Sequence, residues 1–315
     1  MKHYLVVTGL VFAMSQAWAA ESINESRAVA ANEKIFIENM RGYVEIRAVD
    51  AKEFKVSGTL DEKADGYTLE SKNGFTTFKV KMPTFNNFNG GDNDQGSKLT
   101  IDVPKGAELE FQGVNSDVIV KGIQGSTKIT SVNGKVDASA LRQFVQLQTV
   151  NGEIDSRDNQ GKVSISTVNG AIKDTGSAGR LELDAVNGEI SSSTTAKEVR
   201  VSVVNGEADL KLDGVEQLSM SAVNGGQEAQ LKNSLAPRVD VSTVSGGIKL
   251  TLEKNISAKF NLVANAGGSI RNNLTSDKAE RSKYGPRSSL EFSTGKGEGN
   301  VEMSTVSGSL KVDTF

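Results

Sequence analysis

The 315-residue chain contains no cysteine, one histidine, one tryptophan and four prolines, and only 5% of its residues are aromatic. The histidine is His3 and the tryptophan is Trp18, so from residue 20 onward the chain has no His, Trp or Cys at all. A Ser-His-Asp or Cys-His triad, a zinc site built on His or Cys, and any thiol or disulfide chemistry are thereby excluded for the body of the protein. Charge of either sign is not in excess: 36 Lys and Arg stand against 39 Asp and Glu, a formal net charge of −3. That balance gives no electrostatic footprint for nucleic acid. Glycine, by contrast, is abundant at 32. With many Ser and Thr and small apolar residues, this suits a β-rich chain with many turns.

Met1-Lys2-His3 is a short basic start, Tyr4 to Met14 is mostly apolar, and Ala17-Trp18-Ala19 fits a small-x-small cleavage site. Residues 1–19 therefore read as a signal peptide, leaving Ala20 or Glu21 as the new N-terminus. The apolar run is short for a membrane span. No second run of spanning length follows, so no membrane insertion is expected. Export implies the periplasm or cell surface of a bacterium. Without cysteine near the cleavage site, a lipid anchor is not expected either.

An internal repeat dominates the rest. Val-Asn-Gly recurs with Asn133-Gly134, Asn151-Gly152, Asn169-Gly170, Asn187-Gly188, Asn205-Gly206 and Asn224-Gly225. Val114-Asn115-Ser116 precedes the series; Val244-Ser245-Gly246 and Val306-Ser307-Gly308 follow it. The step is 18 residues, with one of 19 before Asn224. Ahead of each corner lies an alternating apolar pair, such as Val145/Leu147, Val163/Ile165 and Val199/Val201, and behind it an apolar position such as Val136, Ile154 or Ile172. Alternation means strand, and the polar tails between units are turns.

Two architectures use such a unit: a meander with type I′ Asn-Gly hairpins, or a β-solenoid in which Asn-Gly is a corner stacked on the corner below. From Leu147 to Val150 is three residues. The alternation then breaks just before Asn-Gly, with Val150 turned inward, as a bending coil requires and a hairpin does not. This favours an all-β, single-stranded β-helix (β-solenoid) of 18-residue coils, with Val stacked on Val. The Asn, Ser and Gly of the series are read as a structural corner ladder, because Asn tolerates and Gly freely adopts positive φ. Between Gln112 and Lys259 the only aromatic is Phe144. The expected core is thin, and each coil depends on its neighbours.

Residues 20–105 are β-like without strict repetition and hold most of the Phe and Tyr, so they are expected to form an N-terminal β cap. Residues 106–315 form the repeat region, with a loop insertion at 271–289. Thr84–Ser97 reads as a solvated loop; Asp92 and Asp94 lack the further acids of a calcium loop. The insertion carries Lys278, Arg281, Lys283, Tyr284 and Arg287, a candidate binding loop. No cofactor, metal site or catalytic residue is expected. Phe315 at the terminus does not make an outer-membrane barrel, since such strands need about ten residues.

The early Asn39-x-x-Gly42-x-Val44-x-Ile46, the Leu99-x-Ile101-x-Val103-Pro104 step, the Val-Asn/Ser-Gly series and the closing Ser304-Thr305-Val306-Ser307-Gly308-Ser309-Leu310 together resemble the bacterial putative-adhesin family of β-strand-repeat envelope proteins, a domain of unknown function. The resemblance covers nearly all of the chain after the signal segment. It implies a β-helix-like fold and an extracytoplasmic location, and it brings no catalytic residues.

Three functions are consistent with these residues. The first is a non-enzymatic envelope protein, an adhesin or a structural or binding rod, contacting an envelope glycan or protein. The second is a carbohydrate-active β-helix, lyase or hydrolase, for which paired carboxylates are needed. Asp137, Asp155 and Asp209 share a column of the repeat, but Lys173 and Ser191 interrupt it. The third is a scaffold that assembles end to end through the C-terminal coil, Val301 to Val312, if that coil ends the stack uncovered.

Overall fold

The computed structural model describes residues 21–83 and 96–315. The expected signal peptide, and the expected loop from Thr84 with its Asp92 and Asp94, lie outside the described residues apart from Gly96 and Ser97. The described residues form strands joined by turns, all in one continuous sheet system.

Each repeat supplies two strands. The longer, such as Gln160–Asn169, pairs in parallel with Phe144–Asn151 on one side and Ala178–Asn187 on the other. The shorter, such as Ile154–Arg157, pairs with Val136–Ser139 and Ile172–Thr175. Val145 faces Val163, which faces Leu181; Ile154 faces Ile172, which faces Ile190. Identical columns thus meet at the strand spacing of about 4.8 Å, and the two stacks share one apolar core. A coil alone has nowhere to send its backbone hydrogen bonds. The neighbours above and below take those of the strands, which makes the stack a chain of nearest-neighbour interfaces. This is the solenoid expected from the 18-residue step.

The corner differs from the sequence reading in one respect. Val163, Ile165 and Thr167 are buried, and Val168 and Asn169 are both exposed. The alternation therefore runs on through the Thr, and the side chain that turns inward beside the corner is Ser131, Thr149, Thr167, Ala185, Val203, Ala222, Thr243 or Thr305. The valines of Val-Asn-Gly point outward. The reason is the strand's period of two, which continues through this residue. In three coils a hydroxyl stands here, Ser131 Oγ donating to Ser116 O at 3.0 Å and Thr149 and Thr167 to Gly134 O and Gly152 O at 3.4 Å, and in others Ala185, Val203 or Ala222.

Both ends of the stack are built by excursions of the chain. At the first end, Lys34–Val49 pairs along its length with Glu108–Lys121, placing Arg41 opposite Asn115. Asn39–Gly42 is thus a bend in line with the repeat corners. Phe75–Val80 and Ser97–Pro104 lie on the other side of Lys34–Val49, in parallel. Antiparallel strands then cover them: Tyr67–Lys72 on Phe75–Val80, Glu53–Thr59 on Ser97–Pro104, and Ser22–Ala28 outermost. Phe54, Phe78 and Phe111 fill this wider end, whereas the buried apolar residues of the repeats are Val, Ile, Leu and Ala with Met220.

At the other end the order in space departs from the order in sequence. Arg238–Leu252 pairs with Gly299–Thr314, and Ala258–Ala264 and Ser269–Asn272 pair on the far side of that last strand. Ser288–Ser293 continues antiparallel on Ala258–Ala264, with Phe260 and Phe292 stacked at 4.4 Å. The C-terminal coil does not end the stack uncovered. Val301 to Val312 is hydrogen-bonded on both sides, because the chain makes its cap first and then returns beneath it. Residues 271–289 begin inside a paired strand, so the excursion is the larger segment between Leu252 and Gly299.

Candidate functional site: the Val-Asn edge

The corner column is the most regular exposed feature of the molecule. In it the side-chain amide of each Asn after Asn115 donates to the Asn one coil earlier. Asn133 Nδ2 reaches Asn115 Oδ1 at 2.8 Å, Asn151 reaches Asn133 at 2.7 Å, and Asn169 reaches Asn151 at 2.8 Å. The pairs Asn187–Asn169, Asn205–Asn187 and Asn224–Asn205 follow, each at 3.0 Å. All six bonds run the same way, so the amide dipoles add along the edge. Ser245 and Ser307 continue the column in register.

The glycine column is required by the packing of coil on coil. A Cβ on Gly188 would collide with Gly170 O, and one on Gly225 with Gly206 O. Gly225 also lies at φ 137°, in a region that other residues avoid. The corner residues come together, Asn on Asn and Gly on Gly, but positive φ is not the general reason. No corner Asn has it, and of the corner glycines only Gly206, Gly225 and Gly246 do, so close approach of the neighbouring coil's carbonyl is what demands glycine.

Beside the Asn ladder runs the valine column. Val114, Val150, Val168, Val186, Val204, Val223, Val244 and Val306 are each 37–48% exposed, and Val132 is half-buried among them. Together these valines leave uncovered roughly 500 Å², comparable to the largest apolar patch of a typical monomer, about 300–600 Å². This stripe was missed because the valines were assigned inward. Counting in twos from Leu147 through Thr149 would have found it.

The acidic column on the second strand stack does not gather free carboxylates. Arg157 bonds both Asp137 and Asp155, the latter at 2.6 Å. These bonds hold the guanidinium above its ordinary pKa. Among the described residues no group of three or more Asp or Glu is placed to hold a metal ion.

Asp174 was not singled out by the sequence. Its column in the interior reads Ala138, Ser156, Asp174, Ser192, Leu210. Its carboxylate accepts from Ser156 Oγ at 2.8 Å, Ser177 Oγ at 2.5 Å and Ser192 Oγ at 3.1 Å. Burial raises its pKa above the ordinary carboxylate value, the three hydroxyls oppose that shift, and nearby Asp158 adds to it.

Lys278, Arg281, Lys283, Tyr284 and Arg287 all lie exposed on the excursion that caps the last coil. Glu280–Arg281 pairs with Ser288–Ser293, and Ser282 N–H donates to Arg287 O at 2.9 Å. Lys283 Nζ sits 5.4 Å from the Tyr284 ring, which is 84% exposed. The loop is a short hairpin on the capping end, and it adjoins the last corner: Gly267 N–H donates to Pro286 O at 3.2 Å and Ala266 N–H to Val306 O at 2.7 Å.

A family model described as Toastrack DUF4097 matches residues 32–313. Among solved structures, a putative cell adhesion protein from Clostridium sporogenes ATCC 15579 is 12% identical, with a TM-score of 0.23, over 94% of this chain and 100% of that one. A putative adhesin from Bacteroides fragilis NCTC 9343 is also 12% identical, with a TM-score of 0.35, over 93% and 98%. No curated protein matches the chain.

Proposed function

The chain belongs to the Toastrack DUF4097 family, and we propose that it is a non-enzymatic envelope rod that binds a protein partner along its Val-Asn edge. The observation that carries this reading is the length of the edge. Exposed valines and a flanking amide ladder repeat coil after coil, so an extended partner meets the same weak contact many times. Repetition of weak contacts along one rigid body raises avidity without any single deep pocket. A protein is favoured over a glycan because sugar recognition leans on aromatic platforms, and Phe144 is the only aromatic in the described repeats from Gly113 to Ala258.

Export through the first 19 residues, to the periplasm or cell surface, is part of the same proposal. Among the described residues no helix is long and apolar enough to cross a membrane. The carbohydrate-active alternative needs free paired carboxylates, whereas Asp137 and Asp155 are both engaged by Arg157. End-to-end assembly through the C-terminal coil would require displacing Ala258–Ala264 and Ser269–Asn272.

Because the chain has no cysteine, single-cysteine variants report position cleanly. A photoreactive group on Val168→Cys in intact cells should give one discrete protein adduct, lost when Val150 and Val186 are changed to Lys. Adducts from Arg281→Cys and none from Val168→Cys would move the site to the 271–289 loop and sink the edge reading. Retention of a polysaccharide by the edge, unaffected by the lysines, would do the same. Reagents excluded by the outer membrane, applied to intact cells, separate surface from periplasm.

A further inference from the structure

Seven Asn-Gly pairs occur among the described residues: Asn73-Gly74 and the six of the corner. Asn89-Gly90 lies outside them. This dipeptide has a chemistry of its own. The main-chain nitrogen of the Gly attacks the side-chain amide carbon of the Asn, a C–N bond forms, and ammonia leaves. Water then opens the resulting succinimide to Asp or to isoaspartate. The reaction needs the side-chain amide free to turn toward its own chain, and a Gly nitrogen not engaged elsewhere.

The structure separates the seven. In the corner every amide donates along the ladder, and all but that of Asn224 also accept. The nitrogens of Gly170, Gly188, Gly206 and Gly225 donate to carbonyls of the next coil at 3.0–3.2 Å. Turning the side chain would break one or two ladder bonds, and in four of the six pairs the nucleophile is occupied as well. Asn73 is placed differently. It is exposed, and with φ 55° followed by φ 76° at Gly74 it forms the two-residue turn between Tyr67–Lys72 and Phe75–Val80. Among the described residues neither its side chain nor the Gly74 N–H has a hydrogen-bond partner.

We infer that Asn73-Gly74 is a site of spontaneous, water-driven deamidation in the native protein, and that the ladder keeps the six corner pairs intact. The isoaspartyl product routes the backbone through the former side-chain carbon. It lengthens a turn whose two-residue length sets the strand register. Gly74 O also accepts from Lys34 N at 3.0 Å, where the cap meets the first long strand, so the lesion loosens the cap at its attachment.

The test is peptide mass spectrometry of the intact, folded chain incubated in mildly alkaline buffer, following the mass gain of amide-to-acid conversion. The peptide with Asn73 should convert at least about tenfold faster than any corner peptide, the factor that ~1.4 kcal/mol of ladder opening represents. In urea the gap should close, since all seven are then the same dipeptide in an open chain. Asn187→Ala removes the acceptor of Asn205 and should speed conversion at Asn205 in the folded protein. Corner residues converting as fast as Asn73 when folded would overturn the inference. So would Asn73 staying intact under conditions where the urea-unfolded chain converts there, or an unchanged Asn205 in Asn187→Ala.

Discussion

Asn151 and Asn133 are eighteen residues apart in sequence and 2.7 Å apart in space, amide nitrogen to amide oxygen. The same bond recurs for each successive pair of ladder Asn, so the register of the whole stack is written in side-chain contacts as well as in strand pairing. Asn169→Asp removes one donor and sets a carboxylate against Asn151 Oδ1. It should cost about 1–2 kcal/mol in urea titration at neutral pH. Asn169→Ser should cost less, because Ser245 and Ser307 already occupy this column.

Two adjacent glycines give a sharper contrast. A Cβ on Gly225 would run into Gly206 O, while one on Gly226 meets nothing within 4 Å. Gly225→Ala should therefore destabilise by several kcal/mol, roughly the upper range for single substitutions, and Gly226→Ala should stay within about 0.5 kcal/mol. Thermal or urea unfolding of the two variants decides it. Equal effects would mean that the coils do not stack at this spacing.

Asp174 predicts a dependence on pH. Its folded pKa is raised by burial, so between the unfolded and the folded value the native state holds a proton that the unfolded state has released. Its contribution to stability is therefore fully present below the unfolded pKa, near 3.8, and is lost as pH rises through the folded value. Asp174→Asn removes that loss. It should be more stable than the wild type at neutral pH by on the order of 1 kcal/mol, with the advantage shrinking as pH falls from the raised folded value toward 3.8 and gone below it. Urea midpoints across pH would show the convergence; a constant difference at all pH values would contradict it.

The first end of the stack is held by Arg41 and Asp61, both almost fully buried, bonded through Nε at 2.7 Å and an NH2 nitrogen at 2.8 Å. Asp61 also accepts from Lys63 N–H at 2.8 Å, and its own N–H donates to Ser97 Oγ at 3.1 Å. Asp61→Ala leaves a buried guanidinium alone and should cost about 3–5 kcal/mol. Arg41→Met with Asp61→Leu should recover much of that, because no charge is then left without a partner. Limited proteolysis near residue 61 should track the same order.

Much of this was legible in the residues. The 18-residue step, the columns facing one another and the Asn-Gly corner follow from repetition, since identical side chains stack in register only if each unit is one coil. Bulky residues before residue 112 pointed to a wider end. The candidate edge was half legible: the ladder was foreseen, the valine stripe was not. The spacing from Leu147 to Val150 was read with Val150 turned inward, whereas the strand keeps its period of two through the corner, which turns Thr149 inward and Val150 outward.

What sequence alone determined is therefore the coil, because its information is local and repeated. The tertiary structure decided how the coils end. Ser245 pairs with Ser307 across an excursion of the chain, and Arg41 sits opposite Asn115 across another. Strand order of this kind depends on which open edge a distant segment reaches and covers. No local pattern records that choice. It is fixed by the requirement that every strand edge of a stacked coil find a partner.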